Sequence, residues 1–274
     1  MSNEESKIFA KLFFESLGYS VGPIPQVKEG GQKRADLKAT LNDETIVIEA
    51  KGKAPNQGYI DLLERVKAQG YGSITREEVA WNAMSSVVEK ANRQLEATTA
   101  PDNAARILWI SCLHDDWKYV LETFRHRLYG DVEVTIFQEI NSLPVAIETR
   151  SCLYYDYSDF YRYRSIDGAV LACPVGVKVL VNEFGIRVSQ FRSTKLYSES
   201  KLKGVLYDPE SLRESNKVLA IYDLSERNQH TKWQYLLDNY GFKTSVMKSY
   251  SYKALMSVQL DTDGKSPFRK TKAG

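Results

Sequence analysis

Thiols and imidazoles are scarce in this chain, whose 274 residues include three cysteines and three histidines. Cys112, Cys152 and Cys173 are odd in number and widely spaced, which supports neither a disulfide framework nor a thiolate zinc site and fits a reducing compartment. His114, His126 and His230 are scattered, without the partner spacing of a hydrolase triad or of zinc ligands, so neither is expected. Long apolar runs are missing too. The stretches 107–113 and 170–181 are short or interrupted by Lys178, well below the roughly 20 apolar residues of a spanning helix. No glycine-rich lysine loop of the Walker type occurs, which argues against a nucleotide-driven motor. The opening residues Asn3, Glu4, Glu5 and Ser6 lack the basic and apolar segments of a secretory signal. A cytoplasmic protein without membrane association is expected.

What is present suffices for a sizeable core. With 43% hydrophobic and 26% charged residues the chain can fold without staples, as one large domain or two modest ones. The net charge of +2 conceals an asymmetry: residues 1–150 hold 18 Lys/Arg against 22 Asp/Glu, whereas residues 151–274 hold 19 against 13. A basic second half beside an acidic first half is what a polyanion-binding surface next to a carboxylate metal site would produce. A solvated surface accounts for the count equally well.

Along 4–17, Ile8, Phe9, Leu12, Phe13 and Leu17 recur at helical spacing, and Gly18 stands at the C-cap position. Residues 19–27, with Gly22, Pro23 and Pro25, suit a short or edge strand. A second strand spans 35–38, Asn42 and Asp43 make a turn, and the β-branched run 45–50 reads as a buried strand. A helix is expected over 60–66. Thr75 with Glu78 forms a capping-box signature for a longer helix whose apolar face includes Met84, Val88, Ala91 and Leu95. A strongly apolar strand at 105–112, a helix through Leu128 and a strand at 132–137 are placed to complete one sheet. Beyond residue 150 come a tyrosine-rich interval at 154–163, a hairpin of 170–173 with 177–181, strands near 186–188, 217–222, 244–247 and 255–260, and a helix at 233–237. The tyrosines, interleaved with Arg162 and Arg164, suit either base stacking or packing between domains. Residues 263–274 form a basic tail expected to be disordered.

The chemistry concentrates where the second and third strands meet. Asp36 follows Arg34 and Ala35, and Glu49 opens Glu49-Ala50-Lys51 at the end of the apolar strand. Neighbouring strands can bring these carboxylates together, and Glu49 and Lys51 share a face because side chains alternate along a strand. Carboxylate oxygens are the hard ligands that Mg²⁺ or Mn²⁺ prefers, the Ala50 carbonyl is a further candidate ligand, and a lysine ammonium alongside can orient a water and offset phosphate charge.

This order of elements and residues resembles the catalytic core of the PD-(D/E)xK nuclease superfamily, over roughly residues 4–113. The resemblance implies an α/β restriction-endonuclease-like core of helix, three-strand meander, helix and strand, in which Asp36 and Glu49 hold the metal and Lys51 assists the attacking water. It further suggests a first-helix glutamate, Glu5, with Glu4 as competitor, and a contribution from Lys90 or Gln94 on the helix after the E-x-K strand. Ala35 departs from the family's nominal proline. The expected organisation is a nuclease domain at 1–150, an α+β region at 151–262 that binds nucleic acid or a partner, and the tail. The implied activity is Mg²⁺- or Mn²⁺-dependent hydrolysis of DNA, in prokaryotic antiviral defence, restriction or repair. A protein partner or activator fits this setting, and double-strand cutting favours a homodimer. A ribonuclease and an inactive nuclease-fold binding module are the alternatives.

Overall fold

Helix α1 (Asn3–Ser16) forms where the apolar spacing puts it. Its N-terminus is closed by a reciprocal capping box, in which the Glu5 amide donates to the Ser2 hydroxyl and the Ser2 amide to the Glu5 carboxylate. Gly18, at φ +91°, takes the chain out of the helix. The computed structural model describes residues 2–26, 32–55, 57–76, 81–114, 116–141, 143–222, 229–240, 244–248 and 254–259. The chain divides into one unit of Met1–Lys53 with Trp81–Tyr250 and another of Ala54–Ala80 with Ser251–Gly274.

In the first unit, β1 (Ser20–Pro23), β2 (Leu37–Leu41) and β3 (Glu44–Gly52) make the expected antiparallel meander. Asn42, at φ 50°, serves the tight turn between β2 and β3, a conformation asparagine tolerates. In the second unit, α2 (Gln57–Gln69) accompanies β4 (Tyr71–Arg76). The first unit resumes with α3 (Trp81–Glu96), which returns the chain to β5 (Ala105–Ser111), parallel to β3. Helix α4 (Trp117–Tyr129) ends at Gly130, where a Cβ would lie 2.7 Å from the carbonyl oxygens of Asp156 and Tyr157. Only glycine fits there. There follow β6 (Val132–Ile140), β7 (Leu143–Leu153), α5 (Asp159–Arg162), β8 (Gly168–Cys173), β9 (Gly176–Val181), α6 (Val188–Arg192) and α7 (Lys195–Leu202). The remaining elements are β10 (Leu206–Tyr207), α8 (Pro209–Glu214), β11 (Val218–Ala220), α9 (Gln229–Tyr240), β12 (Thr244–Lys248) and β13 (Ala254–Gln259).

The fold is mixed α/β. Its main sheet runs β1-β2-β3-β5-β8-β9-β10, with β3, β5 and β8 mutually parallel at its centre. The sheet therefore draws strands from both sides of residue 150. On one face, Phe14, Ile46, Ile48, Trp109, Phe191 and Leu196 form the core, and the Phe9, Phe13 and Phe14 rings lie 5.9, 5.3 and 6.3 Å from Trp109. A four-stranded sheet, β11-β7-β6-β12, has its own core around Val134, Cys152, Leu219 and Leu236. In the second unit β4 pairs with β13, and α2 buries Tyr59, Leu62 and Val66.

Three sequence expectations are corrected. Thr75 does not begin a helix: it lies in β4 opposite Leu255, so a pairing partner far along the chain overrides a local capping pattern. Residues 132–137 do not extend the main sheet, because β6 pairs with β7 and β12 instead. Nor is 186–188 a strand, since Val188 opens α6. Glu78 and the tail at 263–274 lie outside the described residues.

Candidate metal centre at the carboxyl end of the main sheet

Strand β3 is buried along both faces, and the two faces differ in chemistry. Ile46, Ile48 and Ala50 enter the core beneath α1, while Val47, Glu49 and Lys51 alternate to the other side. At its carboxyl end β3 lies beside β5, the place where open α/β sheets gather ligands.

Asp36 and Glu49 are both held at this end. The residue before β2 is locked to β3 by its own amide, which donates to the Ile48 carbonyl at 3.1 Å. Its carboxylate, 2% exposed, accepts the Ala50 amide through Oδ2 at 3.1 Å. Its Oδ1 faces the Lys7 ammonium at 3.1 Å. Glu49 is fully buried, with Oε1 bonded to Lys51 Nζ and Oε2 without a hydrogen-bond partner. Burial pushes the Glu49 carboxyl up to about 7, the charge of Asp36 pushes the same way, and Lys51 opposes both.

A second tier holds this arrangement. Lys51 Nζ also donates to Gln94 Oε1 at 3.0 Å, and Gln94 Nε2 donates to the Arg34 carbonyl at 3.3 Å. One turn on, the Thr98 hydroxyl donates to the Gln94 carbonyl at 2.7 Å and accepts the Ala35 amide at 2.8 Å. The end of α3 thus fixes both the lysine of the E-x-K triplet and the segment carrying Asp36. From α1, Asn3 Oδ1 accepts the Gly52 amide at 3.0 Å, and Ser6 meets the Ser111 hydroxyl at 2.7 Å.

Of the residues singled out in the sequence, Asp36, Glu49, Ala50, Lys51 and Gln94 converge. Glu5 does not join them, because it is exposed and its carboxylate closes the capping box. Glu4 is exposed and pairs with Lys7 at 2.7 Å, and Lys90 is exposed. Lys7, Thr98 and Lys53 were not anticipated. Lys53 continues the Glu49 and Lys51 face with its ammonium 5.1 Å from the Phe124 ring, and burial, then the charge of Lys51, lowers its pKa. The tyrosine interval goes largely into packing: Tyr154, Tyr155 and Tyr163 are buried, and Tyr154 stacks against Tyr129, Phe184 and Tyr222.

The pair fits a hard divalent cation. Two buried carboxylates share one end of the sheet, and one of their oxygens is buried and unpartnered, a cost that coordination would remove. Comparison with family models, with curated proteins and with solved structures finds no match for this chain.

Proposed function

We propose that the protein is a metal-dependent nuclease that hydrolyses phosphodiester bonds in DNA, on a core of the PD-(D/E)xK type. The observation that carries this reading is Glu49 Oε2, buried without a partner next to Asp36, on a carboxylate that already holds Lys51. Asp36 and Glu49 would hold Mg²⁺ or Mn²⁺, with the Ala50 carbonyl as a third candidate ligand. When bound, such an ion supplies Lewis-acid charge to the phosphate and lowers the pKa of a water. Lys51, fixed between Glu49 and Gln94, orients the attacking water and offsets the charge that grows on the phosphate as the new P–O bond forms and the bond to the leaving oxygen breaks. Gln94 positions Lys51. Lys7 balances Asp36, and Glu4 offers its ammonium an alternative seat. The basic balance of residues 151–274 supports a contribution to DNA affinity. A setting in prokaryotic defence, restriction or repair, and a homodimer for double-strand cutting, follow from the family resemblance alone.

The test is cleavage of plasmid, linear and single-stranded DNA and of RNA, in EDTA, Mg²⁺ or Mn²⁺. Wild type should cut DNA only with the metals, and Asp36→Asn or Glu49→Gln should lower the rate by on the order of 10³-fold or more. Cleavage unaffected by both substitutions, or no cleavage of any substrate, would overturn the reading.

A further inference from the structure

We propose that Cys112, His114 and Asp116 form a second metal site, selective for a zinc-class divalent ion and separate from the carboxylate pair at Asp36 and Glu49. This inference does not depend on the nuclease reading. The three residues alternate in the loop that leaves β5 for α4, and each offers one ligand atom, all within 4.8 Å of one another. Cys112 Sγ lies 3.1 Å from His114 Nε2, and His114 Nδ1 contacts Asp116 Oδ1. In a tetrahedral site with bonds of about 2.0–2.3 Å, donor atoms stand roughly 3.3–3.8 Å apart, so small side-chain rotations would seat an ion among these three.

The surroundings favour a metal over other uses of the same groups. Asp116 holds the N-cap position of α4, where an aspartate ordinarily accepts a backbone amide, yet its side chain makes no capping hydrogen bond and turns to His114. The loop is anchored on both sides: the Cys112 amide donates to the Ala172 carbonyl at 2.9 Å and the Trp117 amide to the His114 carbonyl at 2.9 Å. A cysteine, a histidine and an aspartate in this order also suggest a nucleophile with its base and orienting acid. Cys112 is 0% exposed, however, which leaves a substrate no approach to its sulfur. Sulfur and nitrogen donors select against Mg²⁺ and for Zn²⁺ or its neighbours. Three protein ligands leave a fourth position for water or an added group. The neighbouring Ser111 bonds Ser6 of α1, so an ion here would stiffen the β5 end against which the carboxylate site is built.

The cysteine spacing and the histidine spacing, each read alone, argued against a zinc site. The signal they missed is the alternating Cys112, His114 and Asp116.

The experiment is Co²⁺ titration of the full chain after chelation and dialysis, followed by competition with Zn²⁺ and with excess Mg²⁺. The expected result is a thiolate-to-cobalt absorption band saturating at about one ion per chain, bleached by Zn²⁺ and untouched by Mg²⁺. Cys112→Ser should lose the band. Asp116→Asn should weaken binding at least ~10-fold, and Asp36→Asn, Cys152→Ser and Cys173→Ser should retain it. If Cys112→Ser does not fold, Asp116→Asn and the two other cysteine variants decide the matter. No band in wild type, a band persisting in Cys112→Ser, or unchanged affinity in Asp116→Asn would overturn the proposal. So would rapid alkylation of Cys112 in native protein that shows no cobalt band, the sign of a reactive thiol.

Discussion

Asp131 and Glu49 are both buried carboxylates beside cations, and their carboxyl groups are shifted in opposite directions. Asp131 Oδ1 accepts from His126 Nδ1 at 2.5 Å, and its Oδ2 accepts from Arg125 Nη1 at 2.6 Å and from Ser151 Oγ at 2.9 Å. Burial alone would raise its carboxyl, but the His126 hydrogen bond and the Arg125 charge together bring it down to about 2. Glu49 has one lysine, a second carboxylate nearby and an oxygen with no partner, and its carboxyl is pushed up to about 7. Both oxygens of the first carboxylate are occupied. The second has coordinating capacity left over, at the end of the sheet where ligands gather.

The comparison breaks most sharply if the two carboxylates are exchanged for amides. Asp131→Asn leaves Arg125 without a full counter-charge and should cost about 3–5 kcal/mol of stability by urea denaturation, with cleavage retained below the lowered melting temperature. Glu49→Gln should do the reverse: cleavage is lost, while stability stays within about 1 kcal/mol of wild type, because one of two neighbouring carboxylates is removed. Lys51→Met separates the roles within the site. It should lower the cleavage rate by roughly 10²-fold while Mn²⁺ still binds, since the role proposed for the ammonium is with water and phosphate and not as a ligand.

A smaller effect concerns acid. Because the folded Asp131 carboxyl lies near 2, below its ordinary value near 4, its stabilisation is complete above about pH 4 and is lost as the pH falls toward 2. On the order of 2 kcal/mol is involved, and the wild-type curve of unfolding free energy against pH should show that loss where Asp131→Asn does not. The smallest effect is expected at Glu5. Glu5→Ala should cost about 0.5–1 kcal/mol through the capping box and leave cleavage unchanged. A large loss of cleavage there would return Glu5 to the site.

These contrasts track what was legible in the sequence. The meander and the E-x-K strand were readable because a buried β-branched run carries its own periodicity, and a charged pair at its end interrupts that run. Gln94 entered with Lys90 through the family resemblance, and its hydrogen bond to Lys51 now sets it apart from the exposed Lys90. Glu5 was drawn toward the site by resemblance, although Ser2 and Glu5 already spelled a capping box and Ser6, Ala10 and Phe14 set the inward face. Lys7 shares that face and carries no motif, so only the folded distance to Asp36 reveals it. The capping pattern at Thr75 and the position of β6 depended on partners remote in the chain, which no local pattern encodes.

The central claim, that Asp36 and Glu49 together bind a hard divalent cation, is tested most directly by calorimetric titration of Mn²⁺ into wild type, Glu49→Gln and Lys7→Met after chelation, with one equivalent of Zn²⁺ added for the site proposed at Cys112. Wild type should bind one or two ions competed by Mg²⁺, Glu49→Gln should lose that binding, and Lys7→Met should bind several-fold more tightly because the ammonium no longer occupies Asp36. Equal Mn²⁺ binding by wild type and Glu49→Gln, or none by either, would contradict the account.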